Sequence, residues 1–331
     1  MNTGSAKTRL ELPLARAAVD RAGELRLDAT DLDRRFESGR ILHFASNKFL
    51  VGPDEELTFL SAKEIDEIKL SNRFTSGEKL FLGIVKKGTG SSTKEISYFA
   101  WCSDAIDLDS HEADVNYQTL RSIGDHLSDL EMGLAVHSQA LGNWHHTHLH
   151  CPKCGSTTTA GNGGTLRRCD GDGSELYPRT DPAIIVLVKD KDDRVLLGRQ
   201  KVWPEHRFSC FAGFVEPGES FEHCVAREVG EESGVNVSDI FYLGSQPWPF
   251  PASIMIAFQA VTDNPDSARP DGEEIEQVRW FTRASMKEAV AAKTLLLPPP
   301  ISVARKMIEA WFVDDKNFTA ADLNTVESWR P

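Results

Sequence analysis

The sequence predicts a mixed α/β protein: a compact α/β domain in the C-terminal half, a separate α+β domain ahead of it, and a small Cys- and His-rich segment between them. Three observations carry this prediction. From Asp181 onward, short β-like runs alternate with helical stretches over short connections, the pattern of one layered domain. Before about residue 140, β-like runs lead into one long helical stretch. The stretch between, NWHHTHLHCPKCGSTTTAGNGGTLRRCDGDGSELYPR, is rich in Gly, Thr, His and Cys and poor in aliphatic residues, as a linker or a small metal-bound module would be.

The expected segments are therefore 1–140, 141–180, 181–315 and a tail over 316–331. In the first, RILHFASNKFLV, KLFLGIVKKG and ISYFAWC read as strands, and residues 117 to about 141 as a helix. It contains no chemical motif, so its role is open. In the third, AIIVLV, RVLLGR, FSCFAGFV, DIFYLG, ASIMIAFQAV and QVRWFT read as strands, and 220–233, 283–292 and 302–312 as helices. No internal repeat and no acidic or basic tail is visible.

Composition narrows the function classes. With 331 residues, 40% of them hydrophobic, the chain can fill packed cores. A formal charge of −13 disfavours non-specific attraction to nucleic acid or to an anionic membrane. An anionic substrate must then be held locally, by metal ions and a few basic groups. No apolar run approaches the roughly 18 residues of a membrane span, and the first residues are too broken by charge for a signal-peptide core. A cytoplasmic location is expected. The cysteines, Cys102, Cys151, Cys154, Cys169, Cys210 and Cys224, are unevenly spaced and read as reduced thiols, some of them available to a metal.

The chemistry is concentrated in GFVEPGESFEHCVAREVGEESGV, residues 213–235. On an ideal helix Glu228, Glu231 and Glu232 share an arc of about 100°. Acidic neighbours so placed repel one another unless a cation lies among them. Their arc overlaps the apolar stripe of Phe221, Val225 and Val229, so the carboxylates lean inward, and Gly234 supplies a C-terminal stop. Gly213, Glu219 and the run from Arg227 to Val235 fit the pattern Gx5Ex7REUxEExGU, U being aliphatic, at all nine specified positions. This stretch resembles the Nudix box.

The resemblance implies a Nudix α/β/α sandwich in which the box forms a loop, helix and loop. It also implies a hydrolase of nucleoside diphosphate derivatives that uses Mg2+ or Mn2+. Glu228 and Glu232 would be the principal ligands, and Glu231 a further ligand or the general base. Arg227 would orient Glu219, and the carbonyl of Ala212 would complete the metal set. DGEEIEQVRW offers Glu274 as an additional ligand, with Glu273 and Glu276 as neighbours. Hard oxygen ligands of this kind suit Mg2+, which retains waters and takes substrate phosphates as well.

SQPWPFPAS, which begins ten residues past Val235, is similar to the signature of the NADH pyrophosphatase branch, the NudC-like family. Its prolines fix the directions of Trp248 and Phe250 and suit an aromatic platform, or equally a buried corner of the core. YPRTDPAIIVL, the box approach and LLLPPPISVARKMI agree with that branch, and the resemblance is strongest over 144–312. It implies a homodimer in which Phe214 and Trp248 stack on the nicotinamide, Trp248 from the same or the partner subunit, while Tyr177, Gln246, Ser253 and Ala304 line the pocket. The implied reaction is hydrolysis of NAD(H) to NMN(H) and AMP. The alternatives are removal of an NAD cap from RNA 5′ ends, or hydrolysis of another derivative such as ADP-ribose. A binding-only sensor would usually lack box glutamates, and all are present here.

CPKCG and, fourteen residues on, CDGD resemble a zinc ribbon with one thiolate missing: Cys151, Cys154, Cys169 and, at the fourth position, Asp172. Either Asp172 ligates Zn2+, or His148 or His150 fills the gap, or the loop has lost its metal.

Overall fold

A computed structural model describes residues 10–71, 73–87, 94–104, 106 and 116–324. Two compact units share the chain: residues 16–180 with 248–252, and residues 10–15 with 181–247 and the described residues from 253 on.

The N-terminal unit contains α1 (Ala29–Ser38), β1 (Arg40–Ala45), β2 (Lys48–Leu50), β3 (Phe59–Leu60), α2 (Ala62–Leu70), β4 (Glu78–Lys87), β5 (Lys94–Ser103), β6 (Tyr117–Gln118), α3 (Leu120–Ile123) and α4 (Asp129–Thr147). Its six-stranded sheet runs β4-β5-β1-β2-β6, with β3 on β1. The helix α1, unforeseen in the sequence, starts where Asp28 accepts the Asp31 amide, and it buries Leu32 and Phe36 against Ile41, Phe81 and Phe99. The single helix expected over 117–141 is instead a strand and two helices. Residues 117–118 pair with β2, and Ser128 with Glu131 forms a capping box that starts α4 afresh and carries it to Thr147.

The Cys-rich segment folds as a small sheet, β7 (Thr158–Gly161), β8 (Leu166–Cys169) and β9 (Glu175–Leu176). It belongs to the N-terminal unit because Arg167, 3% exposed, reaches Glu78 of β4 at 2.9 Å, His145 of α4 at 2.7 Å and Thr158 of β7 at 2.7 Å.

The second unit is the α/β/α sandwich. Its strands are β10 (Asp181–Lys189), β11 (Val195–Gln200), β12 (Phe211–Phe214), β13 (Ser238–Trp248), β14 (Ser253–Val261) and β15 (Ile275–Phe281). Its helices are α5 (Phe221–Ser233), α6 (Arg283–Ala291) and α7 (Val303–Val313). The strand order is β13-β14-β10-β11-β15, with β12 on β10 and β14 parallel to β10. Period-two alternation along β10 explains why AIIVLV is apolar throughout. Ile185 and Leu187 face Met286, Ile308 and Phe312, whereas Ile184, Val186 and Val188 face Cys224, Val225 and Val229.

Two excursions cross the expected segment order. Leu12 packs in the sandwich core, Leu10 N–H donates to Leu243 O and Leu14 N–H to Gln246 Oε1, while residues 248–252 join the N-terminal unit. Of the tail expected over 316–331, Leu323 is buried and Lys287 pairs with Asp322 at 2.8 Å; residues 325–331 lie outside the described residues. Among the described residues no helix is long and apolar enough to cross a membrane.

Candidate active site

β12 delivers Ala212, Gly213 and Phe214, and α5 follows after a loop. Ser220 caps α5 by accepting the His223 amide at 3.2 Å, and Gly234 ends it at φ 69°, the left-handed region a glycine adopts without strain. Cys224, Val225 and Val229, all fully buried, pin the helix to the sheet. Phe221, expected in that stripe, is instead 41% exposed; it opens the first turn, and Cys224 takes the inward place one turn on. Glu232 lies on the buried side at 4% exposure, and the Glu228 side chain is 14% exposed. Glu231, expected to lean inward with the other two, instead points out at 61%, where Arg227 pairs with it.

Arg227 ties these groups together. Its Nε and Nη2 donate to the two oxygens of Glu219 at 2.9 and 3.0 Å, its Nη1 to Glu228 at 2.8 Å and Glu231 at 3.1 Å, and its Nη2 also to Phe214 O at 3.0 Å. The two-pronged pairing with Arg227 holds the Glu219 carboxyl down to about 2, and the same carboxylates raise Arg227 above its ordinary value. Lys cannot make that fork. An Arg227→Lys variant is expected to lose about 10- to 100-fold in turnover, the usual cost of a supporting partner. Its acid-unfolding midpoint should also move to higher pH. Glu219 stabilises the fold above its unfolded pKa and loses that contribution as pH falls toward about 2, so a weaker partner surrenders it sooner. An unmoved acid transition would count against this pairing as the cause.

Glu232 is the other extreme. Its Oε2 is buried without a hydrogen-bond partner. Burial, then the charges of Glu274, Glu228 and Asp271, push its carboxyl up to about 8, with the Ala212 backbone amide acting the other way. Burial also raises Glu228. Glu274 accepts from Gln200 Nε2 at 2.8 Å and sits on a turn built by Asp271, whose carboxylate accepts the amides of Glu273, Glu274 and Ile275 at 3.3, 3.2 and 2.8 Å. Glu276 turns away into an ion pair with Arg199. Of the three neighbouring glutamates, Glu274 is thus the one whose charge acts on both Glu228 and Glu232. Asp271 and Gln200 were not foreseen, although Asp-Gly is a turn signal that could have flagged the first.

The donor set is one for a hard divalent cation: carboxylate oxygens, one of them orphaned, beside a glycine whose missing Cβ leaves room for the Glu228 carboxyl. Among the described residues no three box carboxylates have ligand atoms all within 4.8 Å of one another; Arg227 holds Glu228 and Glu231 toward itself.

The expected substrate residues divide between the units. Phe214, next to the box, is 61% exposed, and Ser253 opens β14 opposite Asp181. Gln246 is fully buried, its oxygen accepting from Leu14 N–H at 3.0 Å and its Nε2 donating to Ile301 O at 2.9 Å; Ala304, 1% exposed, packs in the core. Both side chains serve the fold. Tyr177 and Trp248 belong to the N-terminal unit, where Tyr177 is 63% exposed and its hydroxyl donates to Glu175 at 2.5 Å.

A NUDIX domain family model matches residues 179–298. The NAD-capped RNA hydrolase NudC of Mycobacterium bovis is 37% identical to the chain over 309 residues, 90% of this chain and 94% of its own. The chain belongs to the NudC-like Nudix hydrolases. An NAD-capped RNA hydrolase of Homo sapiens is 38% identical over 197 residues, 56% of this chain and 42% of its own. Among solved structures, a NUDIX hydrolase from Nitrosomonas europaea covers 41% of this chain and 78% of its own at 23% identity, with a TM-score of 0.36.

This NudC-like hydrolase also carries a thiol cluster. The ligand atoms of Cys151, Cys154, Cys169 and Asp172 all lie within 4.8 Å of one another. The Gly171 and Asp172 amides donate to Cys169 Sγ at 3.4 Å, and those of Lys153 and Cys154 bring the Cys151 thiol down to about 7. The fourth member is the carboxylate, held by Ser174 N–H at 3.0 Å and Oγ at 2.5 Å, and neither His148 nor His150 is in the group. His148 sits against Trp144, its Nδ1 3.0 Å from Trp144 O. Three sulfurs and one oxygen in this arrangement can hold a metal ion. A cavity of about 1200 Å3 in the N-terminal unit is lined by none of the box carboxylates, so volume does not mark the chemistry here.

Proposed function

We propose that the protein adds water across the pyrophosphate link of NAD(H), breaking one P–O bond to release NMN(H) and AMP, with Mg2+ or Mn2+ bound at Glu228, Glu232 and Glu274. The observation that carries this reading is the buried, unpartnered oxygen of Glu232 amid other carboxylates, a costly arrangement that a divalent cation relieves. Bound divalent ions lower the pKa of water and offset charge on phosphate oxygens. The chain's own residues do the rest. Ala212 adds its carbonyl to the ligand set, Arg227 fixes Glu219 and Glu228, and Glu231, facing solvent, accepts the proton of the attacking water. Phe214 and Trp248 take the faces of the nicotinamide. Tyr177 and Ser253 line the pocket, and Gln246 and Ala304 shape it from within the fold.

Incubation with NADH and either ion, followed by mass spectrometry, is expected to yield equal amounts of NMNH and AMP. Release of free nicotinamide, or a clear preference for ADP-ribose, would contradict the reading. A Glu231→Gln variant should lose about 10²- to 10⁴-fold in turnover while binding NADH nearly as tightly as the parent; parental turnover would remove Glu231 from the role of base.

A second reading has the same reaction centre act on NAD-capped RNA, the activity for which the bacterial and human relatives are named. The formal charge of −13 requires such RNA to bind in a local groove. Relative rates on NADH, ADP-ribose and NAD-capped RNA decide between them. We further propose Zn2+ at Cys151, Cys154, Cys169 and Asp172, a homodimer, and a cytoplasmic location, the last supported by six cysteines none of which forms a disulfide. Metal analysis and solution mass measure the first two.

A further inference from the structure

We infer that the N-terminal unit positions the aromatic platform: Gln139 and Asn143 of α4, together with Arg121 of α3, clamp residues 248–252 and fix the aim of Trp248. This rests on the proposed reading that Trp248 stacks on the nicotinamide.

Pro247, Pro249 and Pro251 have no N–H, so this stretch cannot hold itself by a backbone ladder. Within it the Phe250 amide bonds Trp248 O at 2.7 Å. The outward carbonyls are taken by side chains instead. Gln139 Nε2 donates to Pro249 O at 2.9 Å, and Asn143 Nδ2 donates to Pro249 O and Pro251 O, both at 3.0 Å. The two amides stand four residues apart, hence on one face of α4. From the other flank, the Arg121 guanidinium lies 4.2 Å from the centre of the Phe250 ring and 5.2 Å from that of Trp248. The two rings meet edge to face at 4.9 Å. Gln139 is 2% exposed, so its amide is committed to this one task.

A platform fixed before the ligand arrives spares the ordering cost of binding. Loosening the clamp therefore weakens capture of the nicotinamide and leaves the hydrolytic step intact. Gln139, Asn143 and Arg121 are positioning residues, and their signature is a KM effect confined to substrates that contain nicotinamide.

The test uses the full chain with two variants, Gln139→Met/Asn143→Ala and Arg121→Met, the second leaving the buried amides untouched. KM and kcat are measured on NADH and on ADP-ribose, which has no nicotinamide. Trp248 emission is isolated by difference against Trp248→Phe. Either variant is expected to raise KM for NADH roughly tenfold with kcat held within about twofold. Its ADP-ribose parameters should match the parent's, and its Trp248 emission should be altered. Three results would overturn the inference. Equal losses on both substrates assign the residues to the fold alone. A parental KM for NADH, with Trp248→Ala still raising it, breaks the clamp but spares the platform. If Trp248→Ala leaves KM for NADH unchanged, the platform itself fails, and the clamp with it.

Discussion

A Glu232→Gln variant is expected to melt several degrees above the parent in EDTA at pH 8 and to have lost its turnover. The two effects share one cause. Glu232 is 4% exposed, one of its oxygens has no partner, and the charges of Glu274, Glu228 and Asp271 oppose its ionisation. Its folded pKa of about 8 stands above the ordinary 4.5, so between those values the folded state binds more protons than the unfolded state. Stability of the metal-free protein then falls as pH rises through that window and is lowest above about 8, by on the order of 5 kcal/mol from this group. Gln keeps the shape and removes the charge. The gap between variant and parent should be absent near pH 4.5, widen with rising pH and flatten beyond 8; parallel pH profiles would refute the assignment. Divalent ion should reverse the order, stabilising the parent more than the variant. Turnover should fall by more than the ~10- to 100-fold typical of an outer-shell partner, because the substitution removes a proposed metal ligand itself.

What could be read from the sequence follows the range of the interactions involved. The box helix was legible to within a residue, because its boundaries are local: the Ser220 hydroxyl caps it and Gly234 ends it in the left-handed region. β10 was legible as a buried strand, because burial on both faces makes it apolar throughout. The helix expected over 117–141 is interrupted at a local signal, the Ser128 and Glu131 capping box, which restarts it as α4. The sharing of residues 10–15 and 248–252 between units had no local signal at all. It depends on Leu12 finding the sandwich core and on Gln139 and Asn143 finding carbonyls more than a hundred residues away. The same holds at the site. The inward lean of Glu228 and Glu232 follows from helical periodicity, whereas the link from Gln200 to Glu274 spans 74 residues and required the fold. Phe221 shows the limit of periodicity: it falls on the apolar stripe yet stays 41% exposed at the start of the helix, while Cys224, one turn on, is fully buried.

Gly213→Ala should nearly abolish turnover in a protein that still folds, and Gly230→Ala, seventeen residues on in the same box, should do the opposite. Gly213 lies in β12 opposite Ile184, and its φ is not positive, so the backbone accepts alanine without strain. The obstacle is space: an added Cβ would coincide with the Glu228 carboxyl. That group is the end of a flexible side chain and can swing away, so the fold tolerates the change. It then leaves the side of Glu232 and the 2.8 Å bond to Arg227 Nη1. Turnover is expected to fall about 100-fold or more, and the Mg2+ needed for half-maximal rate to rise at least about tenfold. Gly230 sits within α5 with nothing inside 4 Å of its added Cβ. Alanine there gains helix propensity, about 0.5–1 kcal/mol of stability, and should leave kcat unchanged. Thermal midpoints together with Mg2+ titrations of the two variants separate ligand displacement from general sensitivity of the helix. Parental activity in Gly213→Ala, or inactivity in Gly230→Ala, would mean that room for the Glu228 carboxylate is not what the box glycine provides.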